Sequence, residues 1–137
     1  MQATLSELTD QRLTVQQAHW NVTGPLFYSL HNLLGELYQE LNEAIDPIAG
    51  RKLAWDRSPD ARSATVAQTA DLTAFFEGFV TDKQVLDLLT ERYKTMSDRT
   101  YECIDTTGET DPVTQDMLID VARLLDDHLG KRRALQK

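Results

Sequence analysis

The sequence has few of the residues that would indicate a disulfide scaffold or a membrane protein. It contains one cysteine, Cys103, which excludes an internal disulfide and favours a reducing compartment. No stretch approaches the roughly 20 apolar residues of a membrane helix. The opening segment MQATLSELTD lacks the basic start and the apolar run of a signal peptide. We therefore expect a cytoplasmic protein with no membrane partner.

Positive charge is also scarce. The chain carries 22 acidic and 14 basic side chains, for a net charge of −8. Such a balance repels phosphate and disfavours non-specific binding to DNA. One basic cluster closes the chain, and it either complements a helix C-terminus or contacts nucleic acid. We expect DNA binding to be weak or absent; the cluster consists of Lys131, Arg132, Arg133 and Lys137.

The chain has only six glycines and four prolines, and it is rich in Leu, Ala, Glu, Asp, Gln and Arg. This composition favours helices. Apolar residues at gaps of three and four predict four main helices, separated at Thr23-Gly24-Pro25, by a long connection in the middle, and at Gly108. The predicted fold is a single all-α domain over residues 1–137, a ferritin-like four-helix bundle with a short helix between helices 2 and 3. The helices are expected at about 3–22, 26–48, 82–105 and from 112, with the short one between 65 and 76.

Two histidines flank the first predicted turn, in the segment QAHWNVTGPLFYSLHNLL. His19 and His31 each lie six positions from Pro25. If the two helices run antiparallel, both imidazoles approach one point between them. A histidine pair suits Fe, Zn, Cu or Ni. The alternative is that both histidines are ordinary helix residues, and that Trp20, beside His19, belongs to the core.

Asp46 is a third candidate ligand, but it lies too far along the second helix to join both histidines in one chain. The fifteen residues after His31 correspond to roughly 22 Å. If two copies of this helix pack antiparallel about a two-fold axis near position 38 or 39, His31 faces Asp46 of the partner subunit, which creates two equivalent sites per dimer. Alternatively, because Asp46 precedes Pro47, it caps a new turn.

These residues resemble a known family. The segment HWNVTGPLFYSLHNLL, the aspartate fifteen residues after the second histidine, and DPVTQDMLIDVARLLDDHL are similar to the Dps family, the DNA-binding proteins from starved cells, which are mini-ferritins. The resemblance implies a homo-oligomer, a hollow dodecamer built from two-fold dimers, that oxidises Fe(II) with hydrogen peroxide and stores ferric iron. It assigns His19, His31 and the partner's Asp46 as metal ligands of the catalytic site, with Trp20 beside it.

Two positions depart from the family pattern. Gly35 and Gly50 stand where the family usually has carboxylates. Ferrous and ferric ions favour carboxylate oxygen, so a ferroxidase with two histidines and one aspartate is expected to be weakened, and Zn(II) is an alternative occupant to Fe(II). The alternative function is a structural shell or a DNA-protecting protein without ferroxidase activity.

Acidic residues near the start of the fourth helix are candidates for the negative pores that such shells need. Asp111, Asp116 and Asp120 lie there, and the last two share one helix face. The alternative is that they favourably oppose the helix dipole. His128 follows Asp126 and Asp127, and we expect it on a solvated surface.

Overall fold

The computed structural model describes residues 1–137 as five α-helices and two very short strands. Four long helices form a bundle, and the short α3 lies in the connection between α2 and α4. The predicted all-α bundle with an extra short helix is therefore confirmed. The elements are α1 (Gln2–Asn21), β1 (Val22–Thr23), α2 (Phe27–Ala54), α3 (Ser63–Thr69), β2 (Val80–Thr81), α4 (Asp82–Thr107) and α5 (Pro112–Leu135).

Side-chain caps define the starts of the last two long helices. Thr81 accepts a hydrogen bond from the backbone N–H of Gln84, and the Gln84 side chain accepts one from the Thr81 N–H, which forms a capping box for α4. Asp111 caps α5 by accepting from the Thr114 N–H at 3.0 Å, and Pro112 follows at the first helical position. The predicted beginning of the last helix is therefore confirmed.

The core lies between the four long helices and consists mainly of leucine. Each leucine side chain removed from water contributes about 1.5–3 kcal/mol, so the shared apolar faces supply most of the driving force for the bundle. Residues at gaps of three and four on each helix point inward, as the sequence predicts. Fully buried members include Leu8, Val15, Leu30, Leu34, Leu37, Leu41, Val85, Leu89 and Leu125.

The turn between α1 and α2 is fastened to the start of α4. Gly24 has φ +113°, and a Cβ there would lie 2.7 Å from an oxygen of Asp82, so only glycine fits. The Asp82 carboxylate accepts the Leu26 N–H at 2.9 Å. Strands β1 and β2 pair in parallel, with Val22 opposite Val80. These contacts fix the helix ends that carry His19 and His31.

Helix α2 continues through Pro47 to Ala54 without interruption. The interpretation of Asp46 as the cap of a new turn is therefore wrong, since Asp46 lies inside the helix. Proline removes one backbone donor from a helix, and this cost is tolerated where tertiary packing holds the segment in place. Ile48, the next residue, is buried in the core and supplies such packing. No helix combines the length and apolarity required to cross a membrane.

Candidate metal centre

His19 and His31 meet at the seam between α1 and α2. Their rings stack with centroids 3.9 Å apart and planes inclined by 14°. The Nδ1 of His19 lies 2.7 Å from the carbonyl oxygen of His31, and the Nδ1 of His31 lies 2.7 Å from the carbonyl oxygen of His19. The structure therefore brings the two predicted histidines together by a reciprocal pair of hydrogen bonds.

This arrangement determines which nitrogen of each ring can bind a metal. A carbonyl oxygen only accepts, so Nδ1 carries the proton in both rings. In the neutral imidazole the lone pair then lies on Nε2, the usual ligand atom when a backbone carbonyl orients a metal-binding histidine. The His19 carbonyl is in the last turn of α1, where helical carbonyls lack a backbone partner. His31 thus also caps the end of α1.

Gly35 explains how His19 can lie so close to α2. A Cβ built on Gly35 would approach Cε1 of the His19 ring to 3.2 Å, tighter than ordinary van der Waals contact. The ring occupies the space beside the position where a carboxylate side chain was expected. Gly50 differs, because a Cβ there would meet nothing within 4 Å.

Aromatic residues lie close to the two histidines in the sequence, and one of them packs on His31. Phe27 stacks on His31 with ring centroids 5.1 Å apart. Trp20 is 64% exposed, so its interpretation as a core residue is wrong. Phe27 and Tyr28 are exposed as well. Three exposed aromatic side chains thus lie near the end of α1 and the start of α2.

Asp46 is exposed on α2 and lies apart from the histidines of its own chain. The separation of fifteen residues along a continuous helix is roughly 22 Å. No third His, Cys, Asp or Glu side chain joins His19 and His31 within one subunit. The residues that line α2 between His31 and Asp46 at helical spacing include half-buried Tyr38 and exposed Asn42.

The three pore candidates have different surroundings. Asp111 caps α5 and forms an ion pair with Arg51 at 2.9 Å; hydrogen bonds from Thr114, followed by the Arg51 contact, hold the pKa of this carboxyl below its usual range. Asp120 pairs with Arg123 at 3.1 Å on the surface. Asp116 is exposed on the same helix face as Asp120 and forms no ion pair.

His128 lies in the protein interior, so its predicted placement on a solvated surface is wrong. Its side chain is fully buried between α2, α4 and α5. Tyr93 contacts Nδ1 through its hydroxyl at 3.0 Å, and a Glu40 oxygen lies 2.6 Å from Nε2. His128 is three positions after Leu125, on the apolar face of α5. That spacing was the sequence signal for burial, and the neighbouring aspartates obscured it.

Burial keeps both His128 and Tyr93 in their neutral forms. It lowers the pKa of His128 despite the opposing effect of Glu40, and it raises the pKa of the Tyr93 hydroxyl. The Tyr93 hydroxyl therefore donates a hydrogen bond to Nδ1, and the Nε2–H donates one to the Glu40 carboxylate. Lys131 completes the group, 2.8 Å from Asp127 and 3.4 Å from Glu40.

Glu40, Asp127 and His128 form the one group of at least three potential ligands whose ligand atoms all lie within 4.8 Å of one another. We call this group the α2–α5 cluster. Sequence reasoning did not identify Glu40 or Asp127 as candidates, because α2 and α5 are far apart along the chain. Glu40 precedes buried Leu41 and follows Leu37 by three positions, a spacing that would have placed it next to the core.

The C-terminal basic cluster is only partly a free surface. Arg132 is fully buried, and its guanidinium donates to the Leu86 carbonyl at 3.0 Å and to Thr90; burial lowers its pKa to about 10. Lys131 is paired within the α2–α5 cluster. Arg133 and Lys137 are the exposed members.

Comparisons with known proteins agree with this architecture. A family model described as a ferritin-like domain matches residues 2–135. DNA protection during starvation protein 2 of Deinococcus radiodurans is 34% identical over 134 residues, which cover 98% of this chain and 56% of that relative. The chain thus spans little more than half the length of this relative. The DNA protection during starvation protein of Agrobacterium fabrum is 32% identical, over 91% of this chain and 78% of the relative.

Solved structures show the same similarity. The crystal structure of Dps92 from Deinococcus radiodurans superimposes with a TM-score of 0.95 at 34% identity, covering 97% of this chain and 81% of that chain. Dps from Listeria monocytogenes gives a TM-score of 0.90 at 28% identity, over 98% of this chain and 89% of that one.

Proposed function

The chain belongs to the Dps family of ferritin-like proteins, and from this premise we propose that it binds and oxidises Fe(II) at sites shared between two subunits. The observation that carries the proposal is the reciprocal pairing of His19 and His31. In each ring the Nδ1–H donates a hydrogen bond to a backbone carbonyl, which leaves Nε2 available for a metal ion. Two such nitrogens on stacked rings supply two ligands of a set that imidazole-binding metals such as Fe(II) or Zn(II) accept.

The third protein ligand comes from the partner subunit. In the proposed dimer two α2 helices cross antiparallel about a two-fold axis near position 38 or 39, and the partner's Asp46 reaches the histidine pair. Asp46 is exposed, and a two-fold interface repeats the contact so that each dimer holds two sites. Six such dimers would build the hollow dodecamer that stores ferric iron.

The chemistry is a transfer of electrons from iron to peroxide. Two Fe(II) ions each give up one electron, and one hydrogen peroxide takes both electrons and two protons to become two waters. The ligands supply charge and position: the Asp46 carboxylate stabilises the Fe(III) that forms, and the imidazoles hold the ion in place. Oxidation consumes Fe(II) and peroxide together, which protects the cell from their reaction products.

The two glycines reduce this activity without abolishing the site. The His19 ring lies against Gly35, and Gly50 offers no side chain, so only three protein ligands converge. Water would complete the coordination, and a second iron would be held weakly. This depletion favours the second candidate function, a shell that protects without rapid iron oxidation, and it leaves Zn(II) as an alternative occupant.

Iron would reach the interior through negative openings near the start of α5. Asp116 and Asp120 share one helix face and suit this role. Asp111 would contribute less, because Arg51 neutralises it and Thr114 holds it in the cap.

Protection of DNA, after which the bacterial relatives are named, would here depend on the shell rather than on direct contact. The net charge is −8, and the basic C-terminal cluster leaves only Arg133 and Lys137 exposed. A gel-shift assay at low salt, where electrostatic binding is strongest, should show no retardation. Retardation would favour direct DNA binding.

A complementation experiment tests the shared site. His31→Ala and Asp46→Asn are expected to oxidise Fe(II) slowly after peroxide addition, as followed by ferric absorbance. Subunits of the two variants assembled together should regain about a quarter of the wild-type rate, since half of randomly formed dimers are hybrid and one of their two sites is intact. Asp98→Asn, which removes another exposed helical carboxylate, is the matched control. No recovery in the hybrids would contradict the shared site. A wild-type rate equal to that of buffer would exclude ferroxidase activity and leave the protective shell.

A further inference from the structure

We propose that the α2–α5 cluster, formed by Glu40, Asp127 and His128, is a second binding site for a divalent transition-metal cation such as Zn(II), Co(II) or Fe(II). It lies within one subunit and needs no partner. It is separate from the His19–His31 pair and does not depend on the proposed ferroxidase function.

The distances suit a metal ion. All three ligand atoms lie within 4.8 Å of one another, and Glu40 and His128 are already 2.6 Å apart. Neighbouring ligands on a cation with bonds of about 2.0–2.2 Å are separated by about 3 Å. Small side-chain movements therefore bring all three atoms to a common ion. Imidazole with two carboxylates is a ligand set that Zn, Co and Fe all accept.

Burial and hydrogen bonding hold His128 ready for this role. The ring is fully buried, and the Tyr93 hydroxyl lies 3.0 Å from Nδ1, so packing and this contact hold its orientation. Metal-bound histidines characteristically use the other ring nitrogen in such a contact. When a cation binds at Nε2, the imidazole proton is carried on Nδ1 instead, and the Nδ1–H can donate a hydrogen bond to the Tyr93 oxygen. The ring keeps one proton throughout.

Lys131 shows that the cluster attracts positive charge. Its ammonium lies 2.8 Å from Asp127 and 3.4 Å from Glu40, against both carboxylates that would bind the metal. The carboxylates are partly accessible, with side-chain exposures of 37% for Glu40 and 56% for Asp127, so an incoming ion can reach them. A metal must displace this ammonium, which makes Lys131 a competitor of the metal ion.

That competition yields the discriminating test. Full-length protein is titrated with Co(II), followed by visible absorbance, and with Zn(II), followed by calorimetry. Glu40→Gln and Asp127→Asn should each weaken metal affinity at the α2–α5 cluster more than about tenfold. Neither variant should change the affinity at the His19–His31 pair. Lys131→Gln should strengthen metal affinity at the α2–α5 cluster at least about fivefold, because it removes a competing cation. His31→Ala should affect only the His19–His31 pair.

The matched control is Lys94→Gln. Lys94 forms the same kind of i,i+4 ion pair, with Asp98 at 2.9 Å, but has no histidine beside it. If Lys94→Gln strengthens metal binding as much as Lys131→Gln, the effect is general electrostatics and the proposal fails. The proposal also fails if Glu40→Gln and Asp127→Asn leave the titrations of folded protein unchanged, or if Lys131→Gln does not increase affinity.

Discussion

The seam between α1 and α2 and the α2–α5 cluster hold their histidines in opposite ways. At the seam, the Nδ1 atoms of His19 and His31 form hydrogen bonds with backbone carbonyls, and Nε2 of each ring has no hydrogen-bond partner in the subunit. In the cluster, side chains occupy both nitrogens of His128. The seam therefore leaves ligand atoms free for a site that a partner would complete, whereas in the cluster both ring nitrogens of His128 are already hydrogen-bonded, and a metal ion would have to replace the Lys131 ammonium.

The largest expected difference between the two regions is in iron oxidation. His31→Ala removes a ligand and the cap of α1, and we expect the peroxide-driven oxidation of Fe(II) to slow more than about tenfold. Glu40→Gln changes only the α2–α5 cluster and should keep most of the rate. Ferric absorbance in a stopped-flow instrument measures both. Equal losses of oxidation rate in the two variants would contradict the assignment of the catalytic role to the seam alone.

Stability should show the reverse order. His128→Ala removes a fully buried ring, leaves the buried Tyr93 hydroxyl without its acceptor and takes one of its two partners from Glu40, which should cost about 2–4 kcal/mol of unfolding free energy. His19→Ala removes a half-buried ring, and water can satisfy the carbonyl it leaves, so the cost should be about 1 kcal/mol. Urea unfolding followed by circular dichroism compares them. A larger cost for His19→Ala would contradict these roles.

Glycine substitutions sharpen the description of the seam. Gly130 is exposed in α5, and a Cβ there would meet nothing within 4 Å, so Gly130→Ala should stabilise the protein by about 1 kcal/mol. Gly35→Ala places its Cβ 3.2 Å from the His19 ring, so the same helical gain should be reduced and metal affinity at the seam lowered. Thermal unfolding and Zn(II) titration of both variants provide the comparison. Identical behaviour would show that Gly35 makes no room for His19.

The smallest difference concerns one proton in each ring. Because carbonyl oxygens only accept, His19 and His31 should carry the proton on Nδ1, whereas His128 should carry it on Nε2 toward Glu40. Nitrogen-15 NMR of histidine-labelled protein near neutral pH distinguishes the two tautomers. Three rings in the same tautomer would refute the assignment of donors at one of the two regions.

The sequence predicted the seam because the information is local. His19 and His31 are equally distant from a Gly-Pro turn, and the hairpin geometry then follows from helix repeats alone. The four long helices were predicted for the same reason, since gaps of three and four between leucines are visible within each segment. The ends of α2 were less predictable: it begins at Phe27, after Pro25, because Asp82 from a distant segment receives the Leu26 N–H.

The α2–α5 cluster could not be assembled from sequence because its members meet through tertiary packing. Glu40 and His128 are 88 residues apart, and no local rule pairs them. Two adjacent aspartates suggested that His128 was solvated, although its spacing from Leu125 indicated the apolar face. The interpretation of Trp20 was wrong in the opposite sense, because this large aromatic residue was interpreted as core but lies on the surface. The first error comes from judging a residue by its neighbours in sequence and the second from judging it by its type, whereas the helix face decides burial in both cases.

The most direct test of the seam is a crystal of the assembled protein soaked in Fe(II) and measured with anomalous scattering at the iron edge. We predict a peak about 2.0–2.3 Å from Nε2 of His19 and of His31, with an oxygen of Asp46 of the partner subunit at a similar distance. Iron bound elsewhere while both Nε2 atoms stay without metal, or Asp46 remote from every histidine in the assembly, would contradict the shared site.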